Sequence, residues 1–358
     1  MNIPLYSSTI YRSEMEAVLT RMVEEEVGPG DSNRELGLRV SQYFDGAYSA
    51  CFRSPSVAFS YALSCLRITS GSSVVVSPLA PFWMYVELLK KGVRPIFVDT
   101  HQDSIFMNVS EIKVKIAEEM AGVAGNEDEA ENKCRNIKAI IVSEPLGFVP
   151  EMDELLELGI PIIEDISQSV GACKDGVQAG AFGDFAILGL EEHDMLTGGG
   201  GAVLVANNKE MQDVLKKASS SFLSIELMPD MNASLALIQM RQMSKNTTTK
   251  LDFLQTYKKA LLQTRHKTFQ SSENSVNPVY SFPVIFDSNV NDIEKFVEKK
   301  GVEIKKAFAT SIIANKKELQ DIFVNATSIL LRTYIFPLYP RLGKKKAVEI
   351  AKILAVLP

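Results

Sequence analysis

The stretch 160–205 constrains the fold more than any other part of this 358-residue chain. Ile160-Pro161-Ile162-Ile163 is a short apolar run, rich in β-branched residues, that stops abruptly at Glu164-Asp165. Such a run reads as a buried parallel strand, and its end delivers a carboxylate where open α/β sheets bind ligands. Two more apolar runs, 185–190 and 202–205, bracket the glycine turn Thr197-Gly198-Gly199-Gly200-Gly201. Upstream, runs at 50–52, 74–76, 95–99 and 137–142 alternate with segments of helical spacing. The expected class is therefore α/β, a large domain built on a mostly parallel sheet. A helical stretch over 232–262 then leads through a polar linker at 271–277 to a strand at 281–286 and a helix at 292–300. That pattern predicts a smaller C-terminal α/β domain, with the large one spanning 1–244 and the small one 245–358.

Composition narrows the partners. Hydrophobic residues at 46%, charged residues at 23% and a formal net charge of -6 offer no basic excess for nucleic acid or an anionic membrane. No run is long and apolar enough for a membrane span, and the first residues lack a signal-peptide pattern. Cys51, Cys65, Cys134 and Cys173 are far apart with no paired spacing, which reads as reduced thiols and a cytoplasmic protein without a metal site. The acidic stretch 118–136 reads as a solvated surface excursion.

Two places carry candidate chemistry. Ser54-Pro55-Ser56 opens an apolar helix, and a helix N-terminus offers free amides to an anion. The same residues also read as a proline at the first helical position with no ligand. The second place is 164–201, where Glu164-Asp165, Gln168, Gly183-Asp184 and the glycine turn follow one another with no lysine between Asp184 and Gly201.

That order resembles the DegT/DnrJ/StrS sugar aminotransferases, pyridoxal-phosphate enzymes of fold type I. Their pattern is ED-x-x-(Q/H), then G-x-x-G-D, then F-S-F-x-x-x-K, then T-G-E-G-G. Glu144-Pro145-Leu146-Gly147 with Met152-Asp153 resembles their H-x-Y-G-x-x-x-x-M-D, and Phe336-Pro337-Leu338-Tyr339-Pro340 their L-P-L-H-P. The resemblance implies pyridoxal or pyridoxamine phosphate as cofactor, with Asp165 against the ring nitrogen and Gln168 near the phenolic oxygen. Phe82 or Trp83 would stack on the ring, and Ser54, Ser56 and the Val57 amide would hold the phosphate. It implies a homodimer, a nucleotide-linked keto-sugar as substrate, and a place in surface-polysaccharide or deoxysugar synthesis.

The chain departs from the pattern at several points. His193 or Asp194 stands where the family carries its Schiff-base lysine. Counting back from the glycine turn selects His193, and counting forward from Asp184 selects Asp194; His193 is the expected catalytic residue. A branch of the family that dehydrates 4-keto-6-deoxyhexoses with pyridoxamine phosphate has a histidine there. Pro55, Gly189, Gly199 and Met228 replace a glycine, a serine, a glutamate and an asparagine, and three of these changes remove phosphate contacts. The competing expectation is a catalytically inactive scaffold of the same fold.

Overall fold

The computed structural model describes residues 2–121, 137–271, 273–287 and 290–358. Its large unit is a seven-stranded sheet formed by β1 (Tyr48–Phe52), β2 (Ser73–Val76), β3 (Arg94–Phe97), β4 (Ile137–Ser143), β5 (Ile162–Asp165), β8 (Phe185–Gly189) and β9 (Ala202–Ala206). The spatial order is β1-β9-β8-β5-β4-β2-β3. The pairs from β8 through β5, β4 and β2 to β3 are parallel, and β9 runs antiparallel to both β1 and β8. The short β6 (Cys173–Lys174) and β7 (Val177–Gln178) form a hairpin, joined by β10 (Ser275–Val276).

Helices cover both faces because the strands are apolar on both. On one side lie α1 (Arg12–Val23), α2 (Asp31–Tyr43), α5 (Val109–Ala121) and α6 (Met152–Leu156); on the other, α3 (Pro55–Cys65), α4 (Phe82–Lys90) and α7 (Lys209–Ala218). The alternation along β2 shows the layering: Val75 packs with Leu36, Val40 and Ile112, whereas Val74 and Val76 pack with Phe59, Ala62 and Met84.

The helix α8 (Asp230–Leu261) runs unbroken for 32 residues across position 245. Its first turns, through Ala233, Ala236 and Leu237, belong to the large core, and its last, through Phe253, Tyr257 and Leu261, to a second one. That second core is closed by β11 (Phe282–Ile285), α9 (Val290–Lys299), β12 (Lys305–Lys306), β13 (Thr333–Phe336) and α12 (Gly343–Leu354), while the short α10 (Ile312–Asn315) and α11 (Val324–Arg332) pack outside it, Ile313, Ala326 and Ile329 with Leu5, Phe308 and Ile335. The strands pair antiparallel in the order β11-β13-β12.

The N-terminal segment straps the two units together. Ile3 bridges Val302, the Leu5 amide donates to Glu303 Oε2 at 3.2 Å, and Gln239 of α8 donates to the Thr9 carbonyl at 3.3 Å. Among the described residues no helix is long and apolar enough to cross a membrane, and no group of His, Cys, Asp and Glu is placed to hold a metal. Cys51 and Cys65 are buried free thiols and Cys173 is a partly buried one. Cys134 and the acidic stretch from residue 122 lie outside the described residues.

Candidate active site

The parallel strands end on one side of the sheet, and there the cleft opens. It is lined by Asp165 and Gln168 after β5, Ser143 and Glu144 at the end of β4, Pro81 and Trp83 at the start of α4, Pro55 of α3, and Glu191 and Asp194 after β8. Residues Ala307, Phe308, Thr310 and Ser311 of the small unit form its roof. The roof is bonded in place: the Phe82 amide donates to the Thr310 carbonyl at 2.9 Å, and the Ile312 amide to Ala80 at 2.9 Å.

Glu164 and Asp165 do different work. Adjacent residues of a strand face opposite ways, and Glu164 points away from the cleft to accept three backbone N–H groups, from Gly180 at 3.0 Å, Phe182 at 2.9 Å and Gly183 at 2.5 Å. It thereby fixes the loop leading to β8. Asp165 faces the cleft with Oδ1 accepting from the Ser167 amide at 3.1 Å and the Ser167 hydroxyl at 2.5 Å. Burial pushes its pKa up and the Ser167 bonds oppose that. The Ser167 hydroxyl in turn accepts from the Gly189 amide at 3.0 Å, so β5 and β8 hold it in one orientation.

Asp194 occupies the floor beside Asp165. Its Oδ2 accepts the Glu191 amide at 2.8 Å, and burial, with lesser contributions from the charges of Asp165 and Glu191, raises its pKa to about 8. The carboxyl is therefore protonated at neutral pH. Room for it comes from Gly189: a Cβ there would stand 2.5 Å from Asp194 Oδ2, 2.9 Å from Ser167 Cβ and nearer still to Ser167 Oγ. Glu144 is 1% exposed, and neither of its oxygens has a hydrogen-bond partner among the described residues. Burial and then the Glu164 carboxylate push it well above the usual range.

The other expected residues are distributed as follows. Gln168 lines the cleft and accepts the Leu146 amide at 2.8 Å. His193 lies on the far side of the loop, exposed, with its ring stacked on Tyr6 at 4.3 Å and its carbonyl accepting from Tyr280 at 2.6 Å. Trp83 contributes to the wall, while Phe82 stacks on Tyr85 at 5.8 Å. Ser54 Oγ caps α3 by accepting the Val57 amide at 3.3 Å, which engages that amide within the helix, and the Ser56 hydroxyl donates to Glu87 at 2.6 Å. Met228 is fully buried under the glycine turn, its methyl against Gly198 and Gly201. Glu191 reaches the same turn, accepting from the Gly201 amide at 3.4 Å.

The sequence reading passed over Asp230 and Lys250. Asp230, 1% exposed, accepts from the amides of Gly30 at 2.8 Å, Ser32 at 3.0 Å and Asn33 at 2.9 Å and so anchors the start of α2. Lys250 is 6% exposed on α8. Its signal was its helical phase, since 250, 253, 257 and 261 share one stripe.

Residues 9–355 match the model of the DegT/DnrJ/EryC1/StrS aminotransferase family. The chain belongs to that family. Among curated members it is 26% identical to the GDP-perosamine synthase of Escherichia coli O157:H7 over 59% of this chain, and the match spans 55% of that relative's length. By fold, a Streptococcus pneumoniae protein assigned as a sugar aminotransferase, in its pyridoxal-phosphate form, superposes with TM-score 0.87 over 99% of both chains at 18% identity. The GDP-4-keto-6-deoxy-D-mannose-3-dehydratase of E. coli, with bound hydrated pyridoxal phosphate, superposes with TM-score 0.82 over 100% of both at 16% identity. The large sheet and small α/β unit are thus the family's fold type I architecture.

Against this family's cofactor the cleft fits at one end. Asp165 offers a buried carboxylate to a ring nitrogen and Trp83 an aromatic wall. The phosphate end fits poorly: Pro55 has no N–H, the Val57 amide and the Ser56 hydroxyl are engaged within the protein, and no lysine, arginine or histidine is among the described lining residues.

Proposed function

We propose that this family member acts on a nucleotide-linked keto-sugar, with pyridoxamine or pyridoxal phosphate as a loosely held, exchangeable coenzyme and Asp194 as the proton carrier. The observation that supports it most is the pairing of Asp165 with Asp194 in a cleft with no amine among its described lining residues. When bound, the coenzyme supplies the amine and the electron-accepting ring. Asp165 would hold the ring nitrogen through Oδ2, the oxygen that Ser167 leaves free. Asp194, protonated at neutral pH, begins as an acid, and the O–H on Oδ1 suits protonation of a departing sugar hydroxyl. The roof from Ala307 to Ser311 limits water access. His193 is the second candidate for the proton carrier and would have to leave Tyr6 to serve.

We further infer a homodimer. On α1, Met15, Leu19, Met22 and Val23 are 52%, 55%, 52% and 83% exposed, an apolar stripe suited to a second copy. The poor phosphate end equally supports a non-catalytic binding protein of the same fold.

The deciding experiment combines equilibrium dialysis against pyridoxamine phosphate with an assay for dehydration of a nucleotide-linked 4-ketohexose. Weak binding with turnover is expected, abolished by Asp194→Asn and retained by His193→Asn. The reverse pattern assigns the proton to His193, and absence of both binding and turnover leaves the non-catalytic reading.

A further inference from the structure

A second cavity, of about 70 Å³, lies on the other side of the 191–195 loop. Tyr6, His193, Asn246, Lys250 and Tyr280 line it, and only Asp194 is shared with the cleft. Lys250 enters from α8 between two elements that bury its whole stem. Its ammonium nitrogen has one polar neighbour, the Met195 thioether sulfur at 3.2 Å, and no carboxylate within ion-pair distance among the described residues.

A buried ammonium ion without a counter-charge is costly, so the group either takes an anion or sheds its proton. Here burial alone holds Lys250 down at about 7. A neutral, desolvated amine facing a cavity is a nucleophile, and the Tyr6 hydroxyl, kept protonated by burial, lines the same cavity, while the Tyr280 O–H is held by the His193 carbonyl.

We propose that this cavity is a second site, independent of the cofactor cleft, in which Lys250 reversibly captures a short-chain aldehyde or ketone as an imine. The nitrogen lone pair forms a bond to the carbonyl carbon while the carbonyl oxygen takes up a proton, giving a carbinolamine. The nitrogen gives up its two protons in turn, and the oxygen takes up a second proton and leaves as water, so no oxidant or reductant is consumed. The volume admits only a few heavy atoms, which excludes a nucleotide sugar.

Glycolaldehyde with cyanoborohydride, followed by peptide mass mapping of the folded protein at pH 7, tests this. At that pH an amine titrating near 7 is about half neutral, whereas a surface lysine near ~10.4 is neutral in roughly one part in 2,500. After allowance for lower intrinsic nucleophilicity, Lys250 should be labelled on the order of a hundredfold faster than surface lysines. Lys250→Met, which keeps the buried stem, should lose that fast phase; if the variant does not fold, the site map of the unaltered protein decides alone. Labelling spread evenly over surface lysines, or at Lys250 only after denaturation, overturns the proposal. So does protection of Lys250 by inorganic phosphate together with slow labelling in its absence, which identifies an anion site instead.

Discussion

Gly189→Ala is the sharpest test of how the cleft is built. The added carbon would sit 2.5 Å from Asp194 Oδ2 and closer still to Ser167 Oγ, against comfortable separations of about 3.5 Å. Ser167 cannot retreat without losing its 2.5 Å bond to Asp165 and the 3.0 Å bond it accepts from the Gly189 amide. Overpacking of this kind costs about 1–3 kcal/mol, and a lost buried hydrogen bond about 1–3 kcal/mol more. The alanine returns about 0.5–1 kcal/mol by restricting the unfolded chain, because Gly189 is not in the left-handed region. The expected loss is about 2–5 kcal/mol, read as a lower urea midpoint with unchanged slope. Adding Asp194→Ala removes one of the two clashes, so the double variant should lose about 1 kcal/mol less than the sum of the singles. A loss below about 1 kcal/mol in Gly189→Ala, or strict additivity, would show that the pocket relaxes freely and that Gly189 does not make the room for Asp194.

Two further outcomes are expected. Asp194 has a folded pKa of about 8 against roughly 3.9 unfolded, so the folded state binds the extra proton and stability falls as pH rises through that window, by up to about 1.4 kcal/mol per pH unit, levelling above about 8. Urea titrations across pH 4–9 should show this fall in the parent and a flatter profile in Asp194→Asn, which becomes the more stable protein at the alkaline end. Pro55→Gly restores a backbone donor at the start of α3 and should tighten pyridoxamine phosphate about 10-fold in dialysis; no change would mean that the phosphate does not dock there.

The architecture was legible because each β strand of the large sheet is an apolar run, and Asp165 and Gln168 could be read because a strand end fixes their direction. Other positions depended on partners distant in sequence. The Ser56 hydroxyl goes to Glu87, 31 residues away, and nothing local to Ser56 announces that. Phe82 and Trp83 are adjacent in the first turn of α4, about 100° apart around its axis, so which faces the cleft depends on where the helix begins. His193 and Asp194 sit in a loop without periodicity, where counting from either end gives a different answer; the space above Gly189 is what admits Asp194. Glu164 looks like a site carboxylate in sequence, yet it holds three backbone amides, as Asp230 does at the start of α2.

The N-terminal strap has a consequence for how the chain acquires this structure. Leu5 and Glu303, whose contact ties the strap down, are 298 positions apart. During synthesis Ile3 and Leu5 emerge long before Val302 and Glu303, the residues they dock on, so they wait, solvent-exposed, until that segment has been made. Closure of this contact is then among the last events of folding, with a large loop to close and only a few bonds as reward. A bulky fusion at the amino terminus would hinder that final step more than one at the carboxyl terminus, even where both leave the sheet intact.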